Sequence, residues 1–256
     1  MSDILQGKTV VVTGASSGIG RAIAVSAAEH GAKAVVTADI RETPREGGET
    51  TTAAITALGV PARFVTTDVT SRAQNDALVE AAEEFGGVDV MVCNAGITLS
   101  EDGADVAEDD LHRLMKVNID GVLFGAQAAA RQMTDANRPG SIVLMASMGG
   151  IVGAGFTVAY STSKGGVVLM AKALADALGP GGIRVNAVCP GTIDTALLRN
   201  TPAVGAAADG FRRRTPLRRL GSPSEIGDAV AYLGSDLSSY VTGTALVVDG
   251  GLTSVI

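Results

Sequence analysis

An α/β fold built on a parallel sheet, with helices on both faces, is predicted by two features of this sequence. Short β-branched runs alternate with helix-period stretches along the whole chain, which is the pattern of strand–helix–strand units. Residues able to hold a ligand, Gly14, Asp39, Asp68 and Asn94, fall just after such runs, where a parallel sheet gathers its ligands.

Lys8 to Thr13 is the first strand. It ends at Gly14-Ala15-Ser16-Ser17-Gly18-Ile19-Gly20, ahead of the Ala-rich, helix-like Arg21 to Glu29. Strand, glycine turn and helix in that order make a phosphate cradle: glycines let backbone approach a pyrophosphate, and the helix start offers free N–H groups. The spacing Gly-x-x-x-Gly-x-Gly departs from the commonest dinucleotide fingerprint, and a turn kept tight for packing is the competing reading. Ala34 to Ala38 is the second strand and ends at Asp39. An acid there accepts hydrogen bonds from both ribose hydroxyls of an adenosine and repels a 2′-phosphate, favouring NAD over NADP. Arg41 and Arg45 would offer a phosphate a guanidinium, so NADP stays open as a second cofactor.

Residues 41–49 are polar, contain Pro44 and Gly47-Gly48, and read as an exposed loop. Pro61 to Thr67 is the third strand, with Asp68-Val69 at its carboxyl end. Ser71 to Phe85 has a helical period with an N-cap at Thr70 or Ser71. Val88 to Cys93 is the fourth strand, closed by Asn94-Ala95-Gly96. Glu108 to Arg131 reads as one long helix in which Asn118 faces solvent or bonds locally, as a mid-helix Asn most often does. Ser141 to Ala146 is the fifth strand, with Ser147 at its end, and a helix from about Tyr160 to Leu178 follows. Ile183 to Cys189 is the sixth strand, closed by Pro190-Gly191. Thr192 to Gly210 has no strong period and is a candidate lid. Ser224 to Leu233 reads as helix, and Leu246 to Gly251 supplies a seventh strand.

The 256 residues read as one domain. With 46% hydrophobic and 18% charged residues there is material for a large core. A net charge of −7 gives no basic footprint for nucleic acid or an anionic membrane. No apolar run is long enough to span a bilayer and Met1-Ser2-Asp3 lacks a basic secretory start, so a cytoplasmic protein with no membrane partner is expected. Cys93 and Cys189 lie in apolar runs and read as buried free thiols. With His30 and His112 the only histidines, no metal site is expected. The basic cluster Arg212 to Arg219 reads as a solvated or subunit-contact face rather than an anion site.

The sharpest chemical signal is Tyr160-Ser161-Thr162-Ser163-Lys164. Residues four apart share a helix face, so a phenol and an ammonium can converge on one reacting group. Moving a phenol pKa from about 10 towards 7 takes about 4 kcal/mol of differential stabilisation, and a close cation can supply much of it. Alone, the pattern is short, and a surface Tyr and Lys on an amphipathic helix is then the better reading.

Over its whole length the chain resembles the short-chain dehydrogenase/reductase family. The resemblance rests on Thr13-Gly14-x-x-x-Gly18-Ile19-Gly20, Asp68-Val69, Asn94-Ala95-Gly96, Asn118, Ser147, Tyr160-x-x-x-Lys164, Pro190-Gly191 and Val248-Asp249-Gly250-Gly251. It implies a Rossmann-like doubly wound sheet of seven parallel strands, a nicotinamide cofactor, a small-molecule alcohol or ketone substrate, and a homotetramer. By position, Tyr160 matches the general acid/base, and Ser147 the residue that hydrogen-bonds the substrate oxygen. Lys164 matches the residue that holds the nicotinamide ribose and lowers the tyrosine pKa, and Asn118 the one whose carbonyl holds a water beside that lysine. Residues Gly14, Ser17, Gly18, Ile19 and Gly20 match the pyrophosphate contacts, Asp39 the NAD-selecting acid, Asp68 and Val69 the adenine contacts, and Asn94, Ala95 and Gly96 the turn at the adenine ribose. Pro190, Gly191, Ile193 and Thr195 match the segment near the carboxamide.

The function expected is NAD-dependent oxidation of a secondary alcohol (sugar, polyol, steroid or small cyclic alcohol) to a ketone or lactone, or the reverse. Tyr160 as phenolate would take the hydroxyl proton while hydride leaves the carbinol carbon. The alternatives are an NADPH-dependent ketoreductase of the 3-oxoacyl-carrier-protein type, its acidic carrier docking on Arg212 to Arg219, and a non-catalytic nucleotide sensor. Asp39 argues against the first and the complete Asn, Ser, Tyr, Lys set against the second. The substrate pocket is expected from residues 98–102, 148–158 and 192–209, with a substrate or lid segment at about 192–215.

Overall fold

The computed structural model describes residues 3–99, 103–195 and 209–255. Its strands are β1 (Thr9–Thr13), β2 (Ala34–Asp39), β3 (Ala62–Thr66), β4 (Val90–Cys93), β5 (Gly140–Met145), β6 (Ile183–Pro190) and β7 (Ala245–Val248). They form one seven-stranded sheet in the order β3-β2-β1-β4-β5-β6-β7, and every pairing is parallel.

The helices are α1 (Gly18–Glu29), α2 (Thr51–Ala57), α3 (Arg72–Glu80), α4 (Glu108–Met115), α5 (Gly121–Asp135), α6 (Val158–Leu178) and α7 (Pro223–Gly234). Side chains alternate across each strand, so the β-branched runs feed two cores. Val11, Val36, Met91, Ile142 and Leu144 face one side with Leu78 of α3, Ala126 and Met133 of α5, and Val167 of α6. Val10, Val12, Val35, Val92 and Val143 face the other with Ile23 of α1, Ile55 of α2, and Ile226 and Val230 of α7.

The sequence-predicted strands are all present, with ends moved by one to three residues. Two expected helices differ from expectation, and α2 falls where none is predicted. The stretch from Ser71 to Phe85 is α helix to Glu80 and then 3-10 helix over Ala81–Phe85. Ser71 is its N-cap, accepting from the Gln74 N–H at 3.4 Å, while the Thr70 hydroxyl bonds Asp68 instead. The long stretch from Glu108 is α4 and α5 joined by a π turn, Lys116–Asp120, and α5 continues to Asp135.

Two close approaches set the geometry around the site. Strand β1 lies between β2 and β4, so the winding direction of the chain reverses there and a crevice opens beyond the carboxyl ends of β1 and β4. Helices α1 and α7 pack so tightly that a Cβ on Gly227 would lie 2.6 Å from the Ser26 Cβ and 3.0 Å from the Ala22 carbonyl oxygen. Among the described residues no helix is long and apolar enough to cross a membrane.

Candidate active site

At the crevice the turn after β1 meets the turn after β4. The Thr13 hydroxyl accepts from the Asn94 and Ala95 N–H groups at 3.0 and 3.1 Å. The Asn94 amide donates back to the Thr13 and Gly14 carbonyls at 2.9 and 3.2 Å. Gly14, at φ 65, leaves no space for a side chain: its Cβ would lie 2.9 Å from the Ala95 Cα. Gly20 is tighter still, because a Cβ there would sit 2.0 Å from the Gly14 carbonyl oxygen. These contacts close the turn so that α1 starts directly beneath it.

The turn has the donor set a pyrophosphate needs. Ser17 is the N-cap of α1 by position, but its side chain caps no helix N–H; its hydroxyl takes the Arg45 N–H at 2.8 Å instead. Ser17 therefore takes none of the first amides of α1, which can serve an anion. A Cβ on Gly18 would meet only Thr195 Cγ2, at 3.9 Å, which sets Thr195 across a gap from the glycine turn. Ile193 is buried and pairs with Gly221 in an isolated bridge. At the end of β6, Gly191 comes so near Asp249 that a Cβ would be 2.6 Å from the Asp249 Cβ.

Asp39 stands at the end of β2, where its Oδ1 accepts the Ile40 N–H at 2.8 Å and its Oδ2 the Ser16 N–H at 3.3 Å. One backbone donor on each oxygen aims the carboxylate and leaves lone pairs for a diol. Asp68 accepts from the Thr70 N–H and hydroxyl. Val69 is buried, with its side chain where a Cβ on Gly121 would be 2.7 Å away. Glycine turn, Asp39 carboxylate and the Asp68-Val69 edge thus fit an adenine dinucleotide.

Ser147, Tyr160 and Lys164 come together beyond β5. Burial pushes the Tyr160 phenol above its ordinary value, and a hydrogen bond with the Ser147 hydroxyl pulls it back down. The Lys164 ammonium donates to the Met145 carbonyl at 2.8 Å and lies 5.7 Å from the centre of the Tyr160 ring. Burial brings it down to about 8, opposed by the Cys189 sulfur nearby. Cys189, which reads in the sequence only as a buried thiol, takes a backbone hydrogen bond from Ser147, and burial pushes it up to about 11.

Asn118 departs from the sequence expectation. It is fully buried, and its side chain spans three elements: Oδ1 accepts from the Ile97 N–H at 2.9 Å, and Nδ2 donates to the Ile97 carbonyl at 3.0 Å and to the Ser163 hydroxyl at 3.2 Å. Ser163 in turn donates to the Tyr160 carbonyl at 2.7 Å. Asn118 sits in the middle of the π turn, a helical irregularity that is frequent at functional sites. Gly96 lies beside this clamp; a Cβ there would be 3.3 Å from Asn118 Oδ1 and 3.4 Å from Lys164 Nζ. Of the expected pocket segments, 100–102 and 196–208 lie outside the described residues, and with them most of the expected lid.

A glycine cradle at the switch point of a parallel sheet, with Ser, Tyr and Lys gathered beyond the neighbouring β5, defines a dinucleotide-dependent oxidoreductase. Residues 14–253 match the family model described as enoyl-(acyl carrier protein) reductase. The chain is 42% identical to an L-rhamnose 1-dehydrogenase (NAD(P)(+)) of Sphingomonas sp. (strain SKA58), the match covering 97% of each chain. It is 40% identical to a cis-4-hydroxycyclohexanecarboxylate dehydrogenase of Sinomonas cyclohexanicum over 100% of both. The crystal structure of a short-chain type dehydrogenase/reductase from Mycobacterium marinum superposes with a TM-score of 0.90 at 37% identity, covering 98% of this chain and 97% of that one. The chain belongs to the short-chain dehydrogenase/reductase family.

Proposed function

We propose that this protein interconverts a secondary alcohol and its ketone or lactone, preferring NAD(H), with Tyr160 as general acid and base. The observation that carries the reading is the buried Tyr160 phenol, hydrogen-bonded with Ser147 and one helical turn from Lys164. When bound, the nicotinamide supplies the hydride acceptor for oxidation or the donor for reduction. The Gly14 to Gly20 turn would hold its pyrophosphate, Asp39 the adenosine ribose, and Lys164 the second ribose.

Ser147 and Tyr160 hydroxyls together orient the substrate oxygen. As a neutral phenol, Tyr160 gives its proton to a carbonyl oxygen; as a phenolate it takes the proton of a hydroxyl. The bond from Lys164 to Met145 holds the ammonium at the end of β5, where a positive charge favours the phenolate. Asn118 fixes the backbone at Ile97 and, through Ser163, the helix turn that bears Tyr160. It is a positioning residue in this reading. The segment at about 192–215 would close over the substrate, in a single domain of residues 1–256.

The relatives named for L-rhamnose and for cis-4-hydroxycyclohexanecarboxylate support a ring carbinol as substrate. The test is a panel of sugars, polyols, cyclic alcohols and steroids with NAD and NADP, read by reduced-cofactor absorbance, on wild type and Tyr160→Phe. Oxidation of at least one ring alcohol is expected, with turnover falling by about a hundredfold or more in Tyr160→Phe and dinucleotide affinity changing less than about twofold. Turnover in Tyr160→Phe within a few-fold of wild type would overturn the role of Tyr160.

A further inference from the structure

Residues 41–50, the polar loop after β2, fold back over the glycine turn and are tied to it along their length. The Ser16 hydroxyl donates to the Arg41 carbonyl at 2.6 Å, and the Arg45 N–H donates to the Ser17 hydroxyl at 2.8 Å. Arg21, from α1, donates to the Glu49 carbonyl at 2.8 Å. Pro44 is buried beneath this strap although its neighbours are exposed. Between those ties, the exposed Glu46 side chain reaches the start of α1, where its Oε1 accepts the Gly18 N–H at 3.4 Å.

Gly18 is the first residue of α1. An acceptor of negative charge at that amide is the role expected of a phosphate, and here a carboxylate of the chain itself fills it. The bond is long and solvent-exposed, so it is weak and can be exchanged for another anion. Glu46 is followed by Gly47 and Gly48, at φ 76 and 86, with open space around both Cβ positions, a hinge on which the side chain and its peptide can turn away while the other ties hold.

We infer that Glu46 is an internal competitor for the pyrophosphate position, and so a residue that sets how tightly the protein binds a dinucleotide. The inference rests on reading the Gly14 to Gly20 turn as the pyrophosphate cradle. To seat its phosphates a ligand displaces the Glu46 carboxylate from the Gly18 amide, and that like charge stays on the same strap once displaced. A ligand without phosphates has no such exchange to make.

Binding of ADP-ribose, NAD and adenosine to wild type, Glu46→Gln and Glu46→Ala, by calorimetry or by competition against NADH fluorescence, tests this without turnover. Both variants should bind ADP-ribose and NAD about threefold to tenfold more tightly than wild type, with adenosine unchanged. Affinities for ADP-ribose and NAD within about 1.5-fold of wild type, or weaker, would overturn the inference. So would an equal gain for adenosine. Wild type and variants all failing to bind ADP-ribose would instead overturn the reading of the glycine turn itself.

Discussion

The Lys164 ammonium on α6 is bonded to the Met145 carbonyl on β5, 2.8 Å away and two residues before Ser147. One bond thus fixes the helix that bears the phenol against the strand that bears its hydroxyl partner. It also places a cation in a buried site, whose cost appears as the fall of Lys164 to about 8. Between about 8 and the ordinary 10.5 the unfolded chain holds this proton and the folded one has lost it, so the contribution of Lys164 to stability rises with pH across that window. Below about 8 both states are charged and the contribution is flat at its least favourable. Lys164→Met lacks this dependence. Thermal melts from pH 7 to 10 should show wild type gaining on Lys164→Met as pH rises, by up to about 3 kcal/mol. A difference that stays level, or moves the other way, would show that the ammonium is not desolvated.

Asp39 presents a carboxylate held by the Ser16 and Ile40 amides. Asp39→Ala should raise the ratio of kcat/KM for NADP over NAD by about tenfold, since the like charge facing a 2′-phosphate is gone. Asp39→Asn, which keeps an acceptor for one amide, separates this from loss of loop order. A wild type that already prefers NADP would reverse the reading of Asp39.

Gly20→Ala sets a Cβ 2.0 Å from the Gly14 carbonyl and 2.4 Å from Asn94 Nδ2. Backbone has to move, so a loss of about 3 kcal/mol or more, or failure to fold, is expected in urea unfolding. Gly181→Ala is the comparison: its Cβ meets nothing within 4 Å and its backbone is outside the left-handed region, so it should be neutral or slightly stabilising.

Strands were legible because a strand buried on both faces needs an unbroken apolar run, and Val10-Val11-Val12 or Val35-Val36 say so directly. The chemistry of Tyr160 and Lys164 was legible because helix period fixes which residues share a face. Asn118 was not, since the π turn that holds it has no composition signature and its partners lie 21 and 45 residues away. The short helix α2 was not located because Thr51-Thr52-Ala53 has neither apolar period nor a strong former beyond Ala. Glu46 looked like one more charge in a polar loop; only the fold brings it to Gly18.

The pairing of α1 with α7 has a consequence for how the protein is made. Helix α1 begins at the glycine turn and is synthesised well before α7, yet the face holding Ala22, Ile23 and Ser26 is covered by Gly227, Ile226 and Val230. Until α7 has been synthesised, the nascent chain carries that apolar face bare. A product that stops short of α7 therefore lacks the buttress beneath the glycine turn, and the helix that begins there loses the partner that fixes its position.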